Sequence, residues 1–383
     1  MTLNHARVSL CAYTHRSLRR TLLALAVFAG GAHTIAAQVP AAPSVRLSTA
    51  PTLTLTGAVD SNSPAVWGLV DGIETLQMLT SMAGAPSRAT GRQLATLGPA
   101  APVAFVTHPG YGVWMESVIV DEAGTWYGYY HNEIPAPAEC GTTTRVIPRL
   151  GAARSSDNGA TWEDLGIVLE APAGWHECRT INRYFVGGVG DVSVVLDRDS
   201  KDLYFYFSQY SKYRQAQGVA IARLPWADRD APGGRITVFN DGAWLAPREI
   251  REEDEDGTVR VEWSYPFGTA LVAPTRPWHD QDSRNDAFWG ASVHWDTSLR
   301  LYVMLLNRSK DEQFGQEGIY VSFASRLDDP AAWTAPTKIL SGGSWYPQVI
   351  GLEAGSGSDT LAGARARLFQ GGRSTQFIEF IPR

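Results

Sequence analysis

Three carboxylates occupy comparable places in a recurring pattern of β-branched and aromatic residues. Asp60 precedes one such run, Glu116 lies within a second and Asp191 opens a third. Proteins use paired carboxyl groups for general acid–base chemistry, in which one acid protonates a leaving oxygen and the other serves as base or nucleophile. A third carboxylate nearby tunes the pKa of its neighbours. The alternative is that each of them binds loop amides or an arginine.

These carboxylates act together only if the fold brings them together, and a recurring strand pair indicates how. Five copies of two strands joined by a turn follow one another, with first strands predicted near residues 64–68, 115–120, 190–196, 290–295 and 346–351. No copy is large enough to bury its own faces, which favours radial packing. The sequence therefore predicts an all-β protein, a five-bladed β-propeller. A β-sandwich is the alternative, but the apolar first strands favour the propeller.

The two ends of the chain also carry strand patterns. Residues 52–56 alternate between threonine and leucine, and residues 376–380 have the sequence Gln-Phe-Ile-Glu-Phe. Alternation with a period of two is typical of a strand with one buried face. We expect these segments to pair and close the propeller.

In a propeller, first strands begin and second strands end on the same face, where the blades converge. Asp60, Glu116 and Asp191 are accordingly predicted to line one central pocket as catalytic residues. Further polar and aromatic side chains at equivalent strand ends are predicted to contact a substrate: His131, Glu133, Trp289, Asn307, Arg308, Trp345 and Arg373. The two arginines either hold a substrate carboxylate or pair with the acids.

One turn carries a recognisable motif. Residues 155–162 follow the pattern S-x-D-x-G-x-T-W, with Asp157, Gly159 and Trp162 at its fixed positions. The pattern resembles the Asp box of sialidases and other BNR-type propellers. In that motif the Asp and Gly satisfy the backbone of a hairpin turn, so a structural role is expected.

Residues 58–383 as a whole resemble the five-bladed propeller glycoside hydrolases of the arabinanase, xylosidase and levansucrase type. Asp191 and the apolar residues after it are similar to the D-P-x-hydrophobic element of that family. Two departures stand out: Asp60 lies four residues before Pro64 instead of directly before it, and no Glu-Gly-Pro motif occurs.

The resemblance implies carboxylate-catalysed hydrolysis of a poly- or oligosaccharide in the central pocket, with carbohydrate as the partner. A non-catalytic carbohydrate-binding or surface-interaction propeller is the rival interpretation, so enzymatic activity is an expectation only. A polysaccharide lyase is a third, and it would use a Tyr, His or Lys base. The sequence leaves the sugar and the linkage open.

The amino terminus reads as a targeting segment. Arg19 and Arg20 precede an apolar run at residues 21–30, and cleavage is expected after Ala36 or Ala37. We predict a signal peptide at residues 1–37, an N-terminal segment at 38–57 and a secreted or periplasmic protein. An uncleaved anchor is the alternative, although the run is short for a membrane span.

The chain has 3 cysteines, and Cys11 lies in the targeting segment. Cys140 and Cys178 remain, and two cysteines in an exported protein predict one disulfide. A metal site around His176 is the alternative, but it lacks the usual set of partner ligands. We therefore expect no metal among the site residues.

Charge and composition limit the partners further. The formal net charge of −6 argues against nucleic acid, and no transmembrane segment follows the signal peptide. Residues 249–256 are strongly acidic and are predicted to form a solvated loop insertion. We expect no cofactor, with a structural calcium at this loop as the alternative, and a monomer.

Overall fold

The structure is a computed structural model that describes residues 42–382, apart from 142–143, 173, 200, 255 and 280–283. The predicted signal peptide, residues 1–37, lies outside the described residues. Within the described part, no helix has the length and apolar character needed to cross a membrane.

The described chain is built almost entirely of strands. In chain order they are β1 (Ser44–Thr54), β2 (Ala65–Val70), β3 (Ile73–Met82), β4 (Ala85–Gly91), β5 (Ala101–Pro102), β6 (Ala104–Thr107), β7 (Gly112–Val120), β8 (Trp126–Pro135), β9 (Val146–Ser155), β10 (Thr161–Leu169), β11 (Val189–Leu196), β12 (Asp202–Tyr210), β13 (Gln217–Pro225), β14 (Thr237–Asn240), β15 (Ala243–Leu245), β16 (Arg248–Glu253), β17 (Val259–Ser264), β18 (Phe288–Asp296), β19 (Leu301–Ser309), β20 (Gln316–Ala324), β21 (Thr337–Ser341), β22 (Pro347–Gly351), β23 (Leu361–Ala362), β24 (Arg365–Gln370) and β25 (Arg373–Ile381). The described helices are α1 (Pro137–Cys140) and 3₁₀ turns at Leu94–Thr96, Arg214–Ala216, Trp226–Asp228 and Pro330–Ala332.

All of these strands except β16 and β17, which form a separate two-stranded sheet, belong to five sheets, the blades of a β-propeller. From the axis outward, blade one is β2-β3-β4-β5, blade two is β7-β8-β9-β10-β6 and blade three is β11-β12-β13-β14-β15. Blade four is β18-β19-β20-β21, with β23 beside β18, and blade five is β22-β24-β25-β1. The five innermost strands coincide with the five first strands predicted from the sequence, so the predicted fold class is confirmed.

The inner strands are apolar because neighbouring blades cover both of their faces. Seven of the eight residues of β11 are buried. The core is divided into layers between consecutive blades, as where Tyr129 of blade two meets Phe205 of blade three edge to face, with ring centroids 5.0 Å apart. A fully buried side chain of this size contributes about 1.5–3 kcal/mol, so the interblade layers are the main stabilising contacts of the fold.

The two chain ends close the propeller within blade five. β1 pairs antiparallel with β25, and Leu47 lies opposite Ile378. The C-terminal partner is the segment expected from the sequence. The N-terminal strand extends over residues 44–54, which is earlier in the chain than the predicted 52–56.

A ring of side-chain hydrogen bonds joins all five blades near the axis. Each link runs from a serine or glutamine of one blade to the backbone of the next, and the links are Ser81–Met115, Ser117–Val194, Ser193–Val293, Ser292–Pro347 and Gln348–Ser63. Such bonds satisfy polar groups in a buried place and fix the strands relative to one another. The ring therefore supports whatever lies at the starts of these strands.

Two peripheral turns show how the sequence patterns fold. Asp157 accepts hydrogen bonds from the backbone of Ala160 at 3.0 Å and of Thr161 at 2.9 Å, and Trp162 is fully buried. This turn has the structural role expected of it, while its kinship with the Asp box remains a prediction. The acidic run at residues 249–256 differs from the expected loop, because most of it pairs with β17 as strand β16 of an exposed hairpin.

The predicted disulfide is present. Cys140, at the end of α1, is bonded to Cys178 in the connection between β10 and β11, with the Cα atoms 5.1 Å apart. The bond therefore ties the connection that leads into blade three to the face of blade two.

Candidate active site

β-Bulges set two of the predicted carboxylates apart from their strands. In β7, Met115 and Ser117 pair with consecutive residues of β8, which leaves Glu116 as the extra residue. Asp191 is the extra residue of β11 in the same way, and its φ of 40° lies in the left-handed region. Bulges re-aim side chains, and a strained non-glycine residue persists only where the surroundings hold it. Both carboxylates consequently point toward the propeller axis.

A pocket opens at the axis, on the face where the inner strands begin. Its cavity volume is about 70 Å³, and it is partly open to solvent. Every blade contributes to its lining, which consists of Asp60, Trp114, His131, Glu133, Tyr184, Phe185, Asp191, Trp289, Phe314, Trp345 and Tyr346.

Glu116 lies behind the pocket wall. It is only 1% exposed, its Oε1 is hydrogen-bonded to Nδ1 of His131, and its Oε2 accepts the backbone N–H of Val192 at 2.6 Å. We predicted that Glu116 lines the pocket, and the structure corrects this. The side chain of His131, which stacks on Trp114 with ring centroids 4.6 Å apart, takes that place.

His131 is held as a cation. Burial lowers its pKa, but the charge of Glu116, the hydrogen bond between them and the nearby Glu133 together raise the pKa well above its ordinary value. Burial also raises the pKa of Glu116, although His131 and the N–H of Val192 oppose this shift. The imidazolium therefore sits between two carboxylates, and its Nε2 lies 3.6 Å from Glu133.

Asp191 is the carboxyl group best suited to donate a proton. It is 4% exposed, and burial followed by the charge of Glu116 raises its pKa to about 7. The hydroxyl of Tyr210 donates a hydrogen bond to its Oδ2. A carboxyl group with this pKa exists in both protonation states near neutral pH, which suits a general acid.

Asp60 supplies a second carboxylate to the pocket from blade one. It is half-buried, and burial raises its pKa, with a smaller rise from Glu133. His131 and a hydrogen bond with the Trp114 side chain act in the opposite direction. Asp60 therefore keeps more contact with water than Asp191 does, and the two groups have unlike surroundings within one pocket.

Aromatic side chains form the remaining wall. Trp289 is buried at its centre and lies edge to face with Phe314, Trp345 and Tyr346, with ring centroids 5.1, 5.6 and 5.7 Å apart. Flat apolar rings of this kind bind the C–H faces of sugar rings, while the carboxylates can accept hydroxyl hydrogens. The pocket thus combines the two features that carbohydrate binding requires.

Four of the seven predicted substrate contacts lie in the pocket, namely His131, Glu133, Trp289 and Trp345. Asn307 is instead buried beneath it and donates to the carbonyl of Gly290 at 3.4 Å. Arg308 pairs with Asp286 at 3.3 Å, and Arg373 is exposed at the start of β25. None of these three side chains lines the pocket, and their role as substrate contacts stays a prediction.

Sequence reasoning missed the aromatic residues that reach the pocket from connections. Tyr184 and Phe185 come from the segment between β10 and β11, and Phe314 from the loop between β19 and β20. Neither segment has strand periodicity, so the only available signal was the density of aromatic residues there.

One group of side chains has the composition of a metal site. Ligand atoms of Glu116, His131 and Asp191 all lie within 4.8 Å of one another. Carboxylate and imidazole are suitable ligands for several divalent cations. A cation here would compete with the hydrogen bond between Glu116 and His131, and His131 would have to lose its proton. The absence of a metal from the site residues therefore stays a prediction.

Compared by sequence, the chain matches no family profile and no curated protein. Solved structures of similar fold include an endo-arabinase from Bacteroides thetaiotaomicron, with 10% identity, 86% of this chain and 98% of that chain covered, and a TM-score of 0.48. A GH62 α-L-arabinofuranosidase catalytic domain from Coprinopsis cinerea has 10% identity and a TM-score of 0.45, with 88% of this chain and 97% of that chain covered. A GH43_1 enzyme from Xanthomonas citri has 12% identity and a TM-score of 0.44, with 87% of this chain and 91% of that chain covered. Likenesses at this level assign no activity to the chain.

Proposed function

We propose that this protein is a glycoside hydrolase that cleaves a poly- or oligosaccharide in the central pocket. The observation that carries the proposal is a pair of carboxyl groups with unlike surroundings in one aromatic pocket. Asp191 is buried with a pKa of about 7, and Asp60 is half-buried and in contact with water. Two titratable groups whose environments differ in this way are the signature of an assigned acid and base.

Asp191 acts as the general acid. In its protonated state it donates to the oxygen of the glycosidic bond, and the hydrogen bond from Tyr210 holds the carboxyl group in place. As the bond breaks, positive charge develops at the sugar carbon, and the carboxylates of the pocket stabilise it. Proton donation by a positioned carboxyl group is worth about 10²–10⁴ in rate.

Asp60 acts on the other side of the sugar. Its contact with water suits a general base that activates the attacking water, and a direct nucleophilic attack is the other role open to such a carboxylate. Glu116 takes no part in bond making. It is a positioning residue, because its charge raises the pKa of Asp191 and keeps His131 protonated.

We further propose that the protein is exported and that it works as a monomer without a cofactor. The disulfide supports export, because such bonds persist in oxidising compartments. The apolar run after Arg19 and Arg20 supports it independently.

The first test is hydrolysis of a panel of aryl glycosides and polysaccharides by the protein without its first 37 residues. We expect release of reducing ends from at least one substrate. Ultraviolet absorbance from unsaturated products would show a lyase instead. Binding in calorimetry with no turnover on any substrate would favour the carbohydrate-binding propeller.

The second test separates the two carboxylates. Asp60→Asn should lose activity that added azide restores, because a small anion replaces the missing carboxylate. Asp191→Asn should keep activity on a dinitrophenyl glycoside, whose leaving group needs no proton, and lose it on an alkyl glycoside. The opposite pattern would exchange the roles, and the anomer formed first distinguishes a base from a nucleophile.

A further inference from the structure

Residues 174–186, here called the strap, cross the pocket face between β10 and β11. Its first anchorage is on blade two, where Cys178 is bonded to Cys140 and Val146 donates its N–H to the carbonyl of Tyr184 at 2.9 Å. The N–H of Val186 returns to the carbonyl of Val146 at 3.3 Å. The middle and the C-terminal end of the strap are thus tied to the blade that carries His131.

Other residues of the strap are fixed to blades three and four. The carbonyl of Trp175 accepts the N–H of Lys212 at 3.1 Å, which fixes the strap to the loop after β12. On blade four, Gln313 donates to the carbonyl of Ile181 at 2.9 Å and accepts the N–H of Arg183 at 3.0 Å. The strap therefore spans three blades with a fastening on each.

Asn182 shapes the part of the strap that faces the pocket. Its side chain is buried, and its Oδ1 accepts the N–H groups of both Tyr184 and Phe185 at 2.8 Å. These bonds fix a turn that presents both rings to the pocket. Phe185 stacks on Tyr210 with centroids 4.5 Å apart, and Tyr184 lies 6.2 Å from Trp345 of blade five. The result is a continuous aromatic wall from blade three to blade five.

Tyr184, Phe185 and Trp345 all line the pocket, so the wall bounds it on this side. A polysaccharide that is cut internally must enter and leave the site, which requires two open sides. With the strap in place, the chain approaches from one side only and its terminal residue fills the pocket. We propose that the strap makes the site exo-acting, so that it releases single terminal sugars; this inference rests on the proposed hydrolase function.

The polar groups of the pocket further indicate the charge of that sugar. Among the described residues that line it there is no lysine or arginine, and the arginines predicted to hold a carboxylate lie elsewhere. The one cation, His131, is already balanced by Glu116 and Glu133. A terminal uronic or sialic acid would face unpaired negative charge, so the sugar released is a neutral one.

The test uses nitrophenyl monoglycosides of neutral sugars, the matching glucuronide, and dye-labelled cross-linked polysaccharides. We expect chromophore release from a neutral monoglycoside, no release from the glucuronide, and no dye release from the cross-linked polymers. Dye release, or oligosaccharides as first products, would overturn exo action. Inactivity on every substrate would instead count against the hydrolase proposal.

A variant of the strap sharpens the test. Asn182→Ala removes the hydrogen bonds that shape the wall, and Arg183→Ala is the matched control because its side chain is exposed and its backbone contact remains. We expect Asn182→Ala to gain dye release from a polymer and to raise KM for the monoglycoside about tenfold or more, with kcat less affected. A lower melting temperature with an unchanged product pattern would show that the strap is only structural.

Discussion

The two ends of the central channel differ in chemistry. The upper end is the pocket with its carboxylates and aromatic rings. The lower end is a cavity lined mainly by the far halves of the inner strands, with aliphatic residues such as Val66, Val118 and Val195. Each end nevertheless holds one aspartate whose pKa is raised to about 7, Asp191 above and Asp359 below.

The surroundings of these two aspartates explain their equal pKa in different ways. Burial and the charge of Glu116 raise the pKa of Asp191, whose carboxylate also meets Tyr210. Burial alone raises that of Asp359, whose Oδ1 accepts the backbone N–H of Ala65 at 2.8 Å. A raised pKa is therefore a sign of burial. A buried carboxyl group becomes functional only where it also has charged neighbours and access to a ligand.

Turnover should separate the two aspartates most strongly. Asp191→Asn keeps the size of the side chain but removes the proton that it donates, so we expect kcat on an alkyl glycoside to fall about 10²–10⁴-fold. Asp359→Asn, the matched control, should keep kcat within about twofold. Equal losses from the two variants would mean that both act through stability, and the contrast between the channel ends would fail.

Replacing Asp359 should change the stability of the protein instead of its turnover, and the change should be an increase. Because the folded protein binds a proton there that the unfolded chain releases, stability falls as the pH rises from about 4 through 7. The rise in pKa from 3.8 to about 7 corresponds to on the order of 4 kcal/mol. Because the Asp359 residue is half-buried, solvent screening reduces this to about 2 kcal/mol. Asp359→Asn should be more stable than wild type by that amount in urea unfolding at pH 8. At pH 3 the two should be alike.

A smaller effect on kcat is expected from replacing Glu116, whose negative charge acts on Asp191. Glu116→Gln removes the negative neighbour that raises the pKa of Asp191, so that pKa falls. Since the protonated form is the active one, the basic limb of the pH–rate profile should move to lower pH, with kcat at pH 7 reduced about tenfold. Lower activity with an unmoved basic limb would show that Glu116 supports structure only.

The smallest effect is predicted at the lower end. Arg198 is exposed there and lies over the ring of Trp295, 5.1 Å from its centroid. Such a cation–π contact is worth about 0.5–1 kcal/mol at an exposed site. Arg198→Ala should lower stability by no more than that and leave kcat and KM unchanged. A change in KM would indicate that this end also binds substrate.

The sequence by itself determined the strands, the number of blades and the disulfide. β-Branched and aromatic runs bounded by turn residues are local signals, and five repeats of one strand pair leave few ways to bury their faces. The same pattern placed Glu116 and Asp191 near the axis, because the first strand of every blade begins on one face. With Cys11 in the predicted targeting segment, Cys140 and Cys178 had only each other as partners.

Only the tertiary structure decided which side chains share the pocket. Glu116 stands behind His131 because a bulge and the N–H of Val192, both set by blade packing, orient its carboxylate. Asn307 is instead bonded to Gly290 and Arg308 to Asp286, and both contacts join segments that are distant from them in the chain. The strap has no periodic pattern, and its path depends on contacts with residues more than 100 positions away, such as Gln313. Contacts of that kind depend on the packing of the blades, which no local pattern of residues encodes.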